Sequence, residues 1–97
     1  MARAPTRSPL AEKQMQEIIA ERHWKYPVTI RIGYGLPEPI PGPVEAIECL
    51  EHRWPHNSGL YFELALLRCE AAARRASSIE EAREMFMSAA IEAYVLA

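Results

Sequence analysis

The stretch HWKYPVTIRIGYG, residues 23–35, decides the fold class because the hydrophobic pattern changes its period within it. Apolar and polar residues alternate strictly here, and such alternation is typical of a strand with one buried face. The apolar side chains that share that face are Val28, Ile30 and Ile32. The Gly-Tyr-Gly sequence at 33–35 ends the strand with a turn. A β-hairpin is therefore expected near the start of the folded body.

The following stretch, LPEPIP at 36–41, is the candidate for the second strand. Successive N–H groups of a strand point to opposite edges, so Leu36, Glu38 and Ile40 can donate to the first strand. The three prolines then face the outer edge and leave it without donors, which guards against edge-to-edge aggregation. The alternative is a polyproline-like loop, because proline is depleted in strands.

The residues that follow the hairpin predict three helices. Gly42 occupies an N-cap position with Pro43 at the first helical position, and Pro55 is expected to stop this helix at Trp54. Its apolar stripe is Ala46, Ile47, Leu50 and Trp54.

Ser58 is expected to cap a second helix that runs to about Arg75. Its core stripe is Phe62, Ala65, Leu66, Cys69, Ala72, Ala73 and Ala76, widened by Tyr61, Leu64 and Leu67. Ser78 and Glu81 have the spacing of a capping box, which begins a third helix. The apolar face of the third helix is Ala82, Met85, Phe86, Ala89, Ala90 and Ala93.

The N-terminal part differs from this body. Residues 1–8 are polar and proline-containing, which predicts a disordered tail. Residues 9–23 predict a short mobile helix with a thin stripe of Ala11, Met15, Ile18 and Ile19. Residues 24–97 then form a single α+β domain, a two-stranded antiparallel β-hairpin followed by three packed α-helices.

Four pieces of the sequence together resemble a known family: PVTIRIGYG, the helix ending in RWP, ALLRCEAA, and EEAREMFMSAAIEA. Their order and spacing are similar to those of the small bacterial proteins called domain of unknown function 982. The resemblance covers residues 24–97. It implies one domain without an obvious catalytic signature, and no activity, substrate or cofactor of the family transfers to any residue.

Composition narrows the function classes. The chain of 97 residues has 49% hydrophobic and 25% charged residues, which is typical of one globular domain. No apolar run is long enough to span a bilayer and no signal peptide precedes the body, so a cytoplasmic protein with two free thiols is expected. All 13 acidic residues are glutamates. Calcium loops of the EF-hand type and Ser-His-Asp triads are thereby excluded.

The charge distribution makes a nucleic-acid partner unexpected. Residues 1–31 carry six Lys/Arg and three Glu, whereas residues 32–97 carry five Arg and ten Glu; the sum, +3 and −5, is the net charge of −2. The third helix also begins with Glu80, Glu81 and Glu84, which would repel phosphate.

The stretch ECLEHRWPH at 48–56 raises the question of a metal site. Cys49, His52 and His56, together with Cys69, form a conceivable set of four zinc ligands, and a small-ligand or zinc-binding protein built around them is the alternative function. The competing interpretation is an ordinary helix end anchored by Trp54, in which the cysteines serve as small core residues. The helix-end interpretation is preferred, and no metal or other cofactor is expected.

No arrangement of residues predicts catalysis. The charged group Glu48, Glu51, His52 and Arg53 is typical of a solvated helix face. The sequence instead favours a small interaction or regulatory module without catalytic activity, which self-associates as a homodimer and has a further, unidentified protein partner. Two features suggest self-association: an edge of the first strand that lacks a partner in the chain, and the small alanines of the third helix. The candidate interface residues are Val28, Ile30, Ile32, Tyr94 and Leu96.

Overall fold

The computed structural model describes residues 23–97. The predicted tail (1–8) and N-terminal helix (9–23) lie outside this part, apart from His23. The elements are β1 (Val28–Ile30), β2 (Glu38–Ile40), α1 (Pro43–His52), α2 (Leu60–Ala73) and α3 (Ile79–Glu92). This order confirms the predicted α+β class, a hairpin followed by three helices. No helix in the described residues is long and apolar enough to cross a membrane.

The hairpin is antiparallel and includes the proline-rich stretch. Val28 pairs with Ile40 and Thr29 pairs with Pro39. Residues 38–40 are thus a strand rather than a polyproline-like loop. Strand prolines are tolerated where no ladder donor is needed, which explains how Pro39 stands at the centre of β2.

The second edge of β1 is covered by the end of the chain. Leu96 forms an isolated antiparallel bridge with Ile30. The N–H of Arg31 donates to the carbonyl of Val95 at 2.8 Å, and the N–H of Ala97 donates to the carbonyl of Thr29 at 3.0 Å. The prediction that this edge has no partner within the chain is therefore wrong.

The helix boundaries follow from local capping with one exception. Gly42 precedes α1 with Pro43 at its first position, and α1 ends at His52, before Trp54. Ser78 Oγ accepts hydrogen bonds from the N–H groups of Glu80 and Glu81, so the predicted cap of α3 is confirmed.

The exception is α2. Its N-cap is Gly59 rather than the predicted Ser58, and Gly59 has no side chain to accept a hydrogen bond. The carboxylate of Glu92 takes that role instead, since it accepts from the N–H groups of Tyr61 and Phe62.

The core lies between the hairpin and the helices. Phe86 of α3 is fully buried, and the centroid of its ring lies 5.9 Å from the ring centroid of Trp24 and 5.5 Å from that of Trp54. The Trp24 indole N–H donates to the carbonyl of Ile79 at 2.6 Å, which satisfies the only polar atom of this ring.

The alanines of α3 pack against other parts of the same chain. Ala82, Ala89 and Ala90 are completely buried. The carbonyl of Ala82 lies 3.9 Å from the Cys69 thiol of α2, so the small side chains bring α2 and α3 close together. They do not form an exposed face for a second copy, which removes the other sequence argument for self-association.

Candidate functional site: a tyrosine surface

Aromatic and aliphatic side chains gather where the hairpin turn meets the end of the chain. They line an open cavity of about 640 Å³. We call this the tyrosine surface and define it by Arg31, Tyr34, Pro37, Tyr94 and Leu96. Two segments far apart in sequence build it, because the pairing of residues 95–97 with β1 brings them together.

Tyr94 stands out because its backbone and its side chain are both unusual. The C-terminus of α3 is a Schellman motif, in which the N–H of Val95 donates to Ala90 at 2.8 Å and the N–H of Tyr94 donates to Ile91 at 3.1 Å. The residue at the position of Tyr94 must adopt the left-handed conformation, and its φ is 60°. Glycine is the usual residue there, since a Cβ makes this conformation unfavourable. A bulky ring is held in solvent, 94% exposed, on a backbone that disfavours it.

The hairpin turn presents a second tyrosine beside it. Gly33 has φ 63°, which lets the chain reverse, and Tyr34 at the tip is fully exposed. The N–H of Gly35 donates to Ile32 at 3.2 Å, and Arg31 Nε donates to the carbonyl of Gly35 at 2.9 Å. These bonds fix the turn, so Tyr34 projects from an ordered loop.

Leu96 adds a backbone edge to the surface. Its neighbours Val95 and Ala97 direct their carbonyl and N–H groups to β1. Because successive residues of an extended segment point to opposite sides, the N–H and carbonyl of Leu96 point away from β1. They form a short sheet edge beside the two tyrosines.

The structure divides the five predicted interface residues. Val28 and Ile30 are buried in the core, and Ile32 is half-buried against it. Tyr94 and Leu96 are exposed and belong to the tyrosine surface. The sequence predicts Tyr34 only as part of a turn, and the structure shows it exposed at the tip of the hairpin.

The four residues of the conceivable zinc set do not form a cluster. Cys49 and Cys69 are free thiols buried in the core, whereas His52 and His56 are exposed. Within residues 23–97, no group of three or more His, Cys, Asp or Glu side chains is arranged to hold a metal ion. The structure thus places the stretch at 48–56 in an ordinary helix end, with Trp54 buried.

A smaller cavity of about 330 Å³ lies between β2 and α1. It contains the ion pair of Arg53 and Glu38, whose two hydrogen bonds are 2.9 and 2.6 Å long. The hydrogen bond from Arg53 lowers the pKa of the Glu38 carboxyl from its ordinary value. Burial raises the pKa of the Cys49 thiol, which borders the cavity, to about 11. A thiol with so high a pKa is a poor nucleophile at neutral pH.

The fold is that of a small α+β domain, in which a two-stranded antiparallel hairpin precedes three packed helices. The chain belongs to the family described as protein of unknown function, DUF982, whose model matches residues 26–97. This confirms the resemblance drawn from the sequence.

A solved structure supports the same assignment. The chain is similar to the Agrobacterium tumefaciens protein Atu1219, whose structure was determined by NMR, with 34% identity and a TM-score of 0.67. The likeness covers 78% of this chain and 76% of that chain. No curated protein matches the chain.

Proposed function

We propose that the protein is a non-catalytic interaction module of the cytoplasm, which self-associates as a homodimer and binds a further protein through the tyrosine surface. The observation that carries the proposal is Tyr94, 94% exposed on a left-handed backbone. A residue whose backbone conformation is unfavourable and whose side chain contributes nothing to the core is typical of a functional contact. Two free thiols are in keeping with a reducing compartment.

The chemistry of the surface suits an extended segment of another protein. Tyrosine is enriched at interfaces because its large ring has few rotatable bonds to immobilise. Tyr34 and Tyr94 supply two such rings, and the outward backbone groups of Leu96 supply hydrogen bonds to an incoming strand. This combination is the one used in β-augmentation, where the added strand gains affinity from its backbone and specificity from alternate side chains.

The remaining side chains support a non-catalytic role. A general acid–base pair needs an enclosed environment that shifts its proton affinity. His52 and His56 are exposed, and the glutamates Glu48 and Glu51 of α1 are exposed as well. The two thiols are buried, and burial raises the pKa of the Cys69 thiol to about 12.

Photocrosslinking in the living cell tests the partner directly. A benzophenone amino acid is placed at Tyr94, at Tyr34, or at the control position Tyr26, which is 63% exposed but does not line the tyrosine surface. We expect positions 34 and 94 to crosslink to the same protein and position 26 not to do so. Crosslinks that are the same at all three positions, or absent at 34 and 94, would overturn the binding site.

Sedimentation equilibrium of the full chain tests the homodimer. We expect the average mass to rise from that of the 11.0 kDa chain towards twice that value as the concentration increases. A constant monomer mass over the whole concentration range would reject self-association and leave the tyrosine surface to be judged by crosslinking.

A further inference from the structure

Helix α2 carries apolar residues on two opposite faces. Its buried residues, which contact the core, are Phe62, Ala65, Cys69 and Ala72. On the opposite side lies what we call the leucine stripe: Leu60, Leu64, Leu67 and Ala71. Leu60 is 66% exposed and Leu67 is 59% exposed, while Leu64 and Ala71 are half-buried. An apolar row of this kind on the solvent side of a helix marks a contact surface.

The spacing of the leucine stripe is that of a coiled-coil seam. Its members follow one another at intervals of four, three and four residues, which places Leu60 and Leu67 at d positions and Leu64 and Ala71 at a positions. The seam runs from Leu60 to Ala71 within the 14 residues of α2, a length of about 16 Å at 1.5 Å per residue. Each helix is already formed by its own domain, so a short seam needs no separate folding of the helix.

Charges on the two sides of the seam determine the orientation of a second helix. Glu63 and Glu70 fall at g positions, and Arg68 falls at an e position. Arg75 would be the next e residue, but it follows the end of α2 with a φ of 63° and is not part of the seam. In a parallel pair, a g residue faces the e residue five positions later on the other helix. Glu63 then faces Arg68 of the second copy, and by symmetry Arg68 faces Glu63 of the second copy. An antiparallel pair would set glutamates against glutamates.

We propose that the leucine stripe is a homodimer interface in which two α2 helices pack in parallel around a twofold axis. This inference rests on the proposed self-association and names its face and its orientation. Arg68 already lies 3.6 Å from Glu81 of its own chain. A guanidinium has five N–H donors, so Arg68 can serve both carboxylates.

Disulfide trapping in the full chain tests both the face and the orientation. Cysteine is introduced as Leu60→Cys, which in a parallel pair meets its own copy across the axis. In an antiparallel pair, residue 60 lies beside residue 71, and the two copies of residue 60 are about 16 Å apart, too far for a disulfide. The native thiols are buried and do not compete.

We expect Leu60→Cys to form a disulfide dimer under mild oxidation. The matched control is Ile91→Cys on α3, which is 57% exposed and is expected to remain monomeric on non-reducing gels. Equal crosslinking of the control would overturn the proposal. A heterodisulfide between Leu60→Cys and Ala71→Cys chains would overturn the parallel orientation. If residues 9–23 of the same chain protected residue 60, the proposed homodimer interface would also be rejected.

A charge exchange separates the interface from general stability. We expect Glu63→Arg alone to raise the dimer dissociation constant about tenfold, because two arginines then face each other at two symmetric places. Arg68→Glu is expected to have a similar effect, and the double variant is expected to restore the wild-type constant. A double variant no better than the single ones would count against these pairs. A dimer by sedimentation without the Leu60→Cys disulfide would reject this face while self-association stands.

Discussion

The carboxylate of Glu92, at the end of α3, accepts a hydrogen bond from the N–H of Phe62 at 3.1 Å and so caps the first turn of α2. A second bond from the N–H of Tyr61 measures 3.3 Å. The N–H groups in the first turn of a helix have no acceptor within that helix, and a negative charge at a helix N-terminus is favourable. The cap thus ties the end of one helix to the beginning of another.

Removing this cap is expected to destabilise the domain. Glu92→Ala should lower the free energy of unfolding by about 1 kcal/mol, the usual value of an N-cap side chain. Chemical denaturation measures the change. Glu84→Ala on the exposed side of the same helix is the matched control and should have little effect. Equal losses in the two variants would show that the cap contributes nothing.

Gly59→Ala is expected to be more harmful. Gly59 has φ 123°, and a methyl group there would lie 2.5 Å from Glu92 Oε1. Backbone strain of this kind costs about 1–3 kcal/mol, and displacement of the carboxylate adds the loss of the cap. Gly35→Ala is the control, since its nearest contact is 3.4 Å and its backbone is ordinary. A melting temperature of Gly59→Ala equal to that of Gly35→Ala would contradict the strain argument.

Tyr94→Gly is expected to strengthen the fold and weaken the function. Glycine relieves the left-handed strain, which should raise the free energy of unfolding by about 1 kcal/mol. Arg75 has φ 63° in the corresponding position after α2, so Arg75→Gly should show the same gain. Only Tyr94→Gly should lose affinity for the crosslinked partner, measured by calorimetry. A loss of stability in both variants would remove the argument from strain.

The ion pair of Glu38 and Arg53 gives the stability a pH dependence. Its hydrogen bond holds the pKa of the Glu38 carboxyl below the ordinary 4.5, so the unfolded state binds the proton more readily. The contribution is therefore fully present above about pH 4.5 and is lost as the pH falls below the lowered pKa. For an exposed pair we expect about 0.5 kcal/mol. The stability difference between wild type and Glu38→Gln should shrink in acid; a constant difference would contradict this assignment.

The two thiols should react only after unfolding. Burial raises the pKa of Cys49 to about 11 and that of Cys69 to about 12, so little thiolate exists at pH 8. A thiol reagent should label neither residue in the native protein and both in denaturant, with rates that zinc does not change. Protection that depends on zinc would revive the metal site at Cys49, His52, His56 and Cys69.

The sequence predicts what local chemistry determines. Ser78 and the glutamates that it caps lie within three residues, so a cap could be read from their spacing. The alternation of Val28 and Ile30 likewise predicted the buried face of β1, and residues 38–40 form the second strand of the predicted hairpin.

Contacts between distant residues were not predictable in the same way. Glu92 and Tyr61 are 31 residues apart, and nothing near Gly59 indicates which carboxylate caps it. Leu96 pairs with β1 through a segment too short to show alternation. Leu67 was expected to widen the core stripe but is exposed, because a helix with apolar residues on both sides has no single inward face.

The hydrogen bond from the Phe62 N–H to Glu92 also fixes where the tyrosine surface lies relative to α2. Tyr94 follows Glu92 by two residues, so the tyrosine surface lies at the N-terminal end of α2. In a parallel pair of α2 helices, both tyrosine surfaces therefore face the same end of the dimer. A partner with two copies of the recognised segment would be held bivalently, and the first contact would raise the effective concentration for the second. Avidity of this kind lets a weak binding surface on a small domain bind tightly only to targets that carry two copies of the recognised segment.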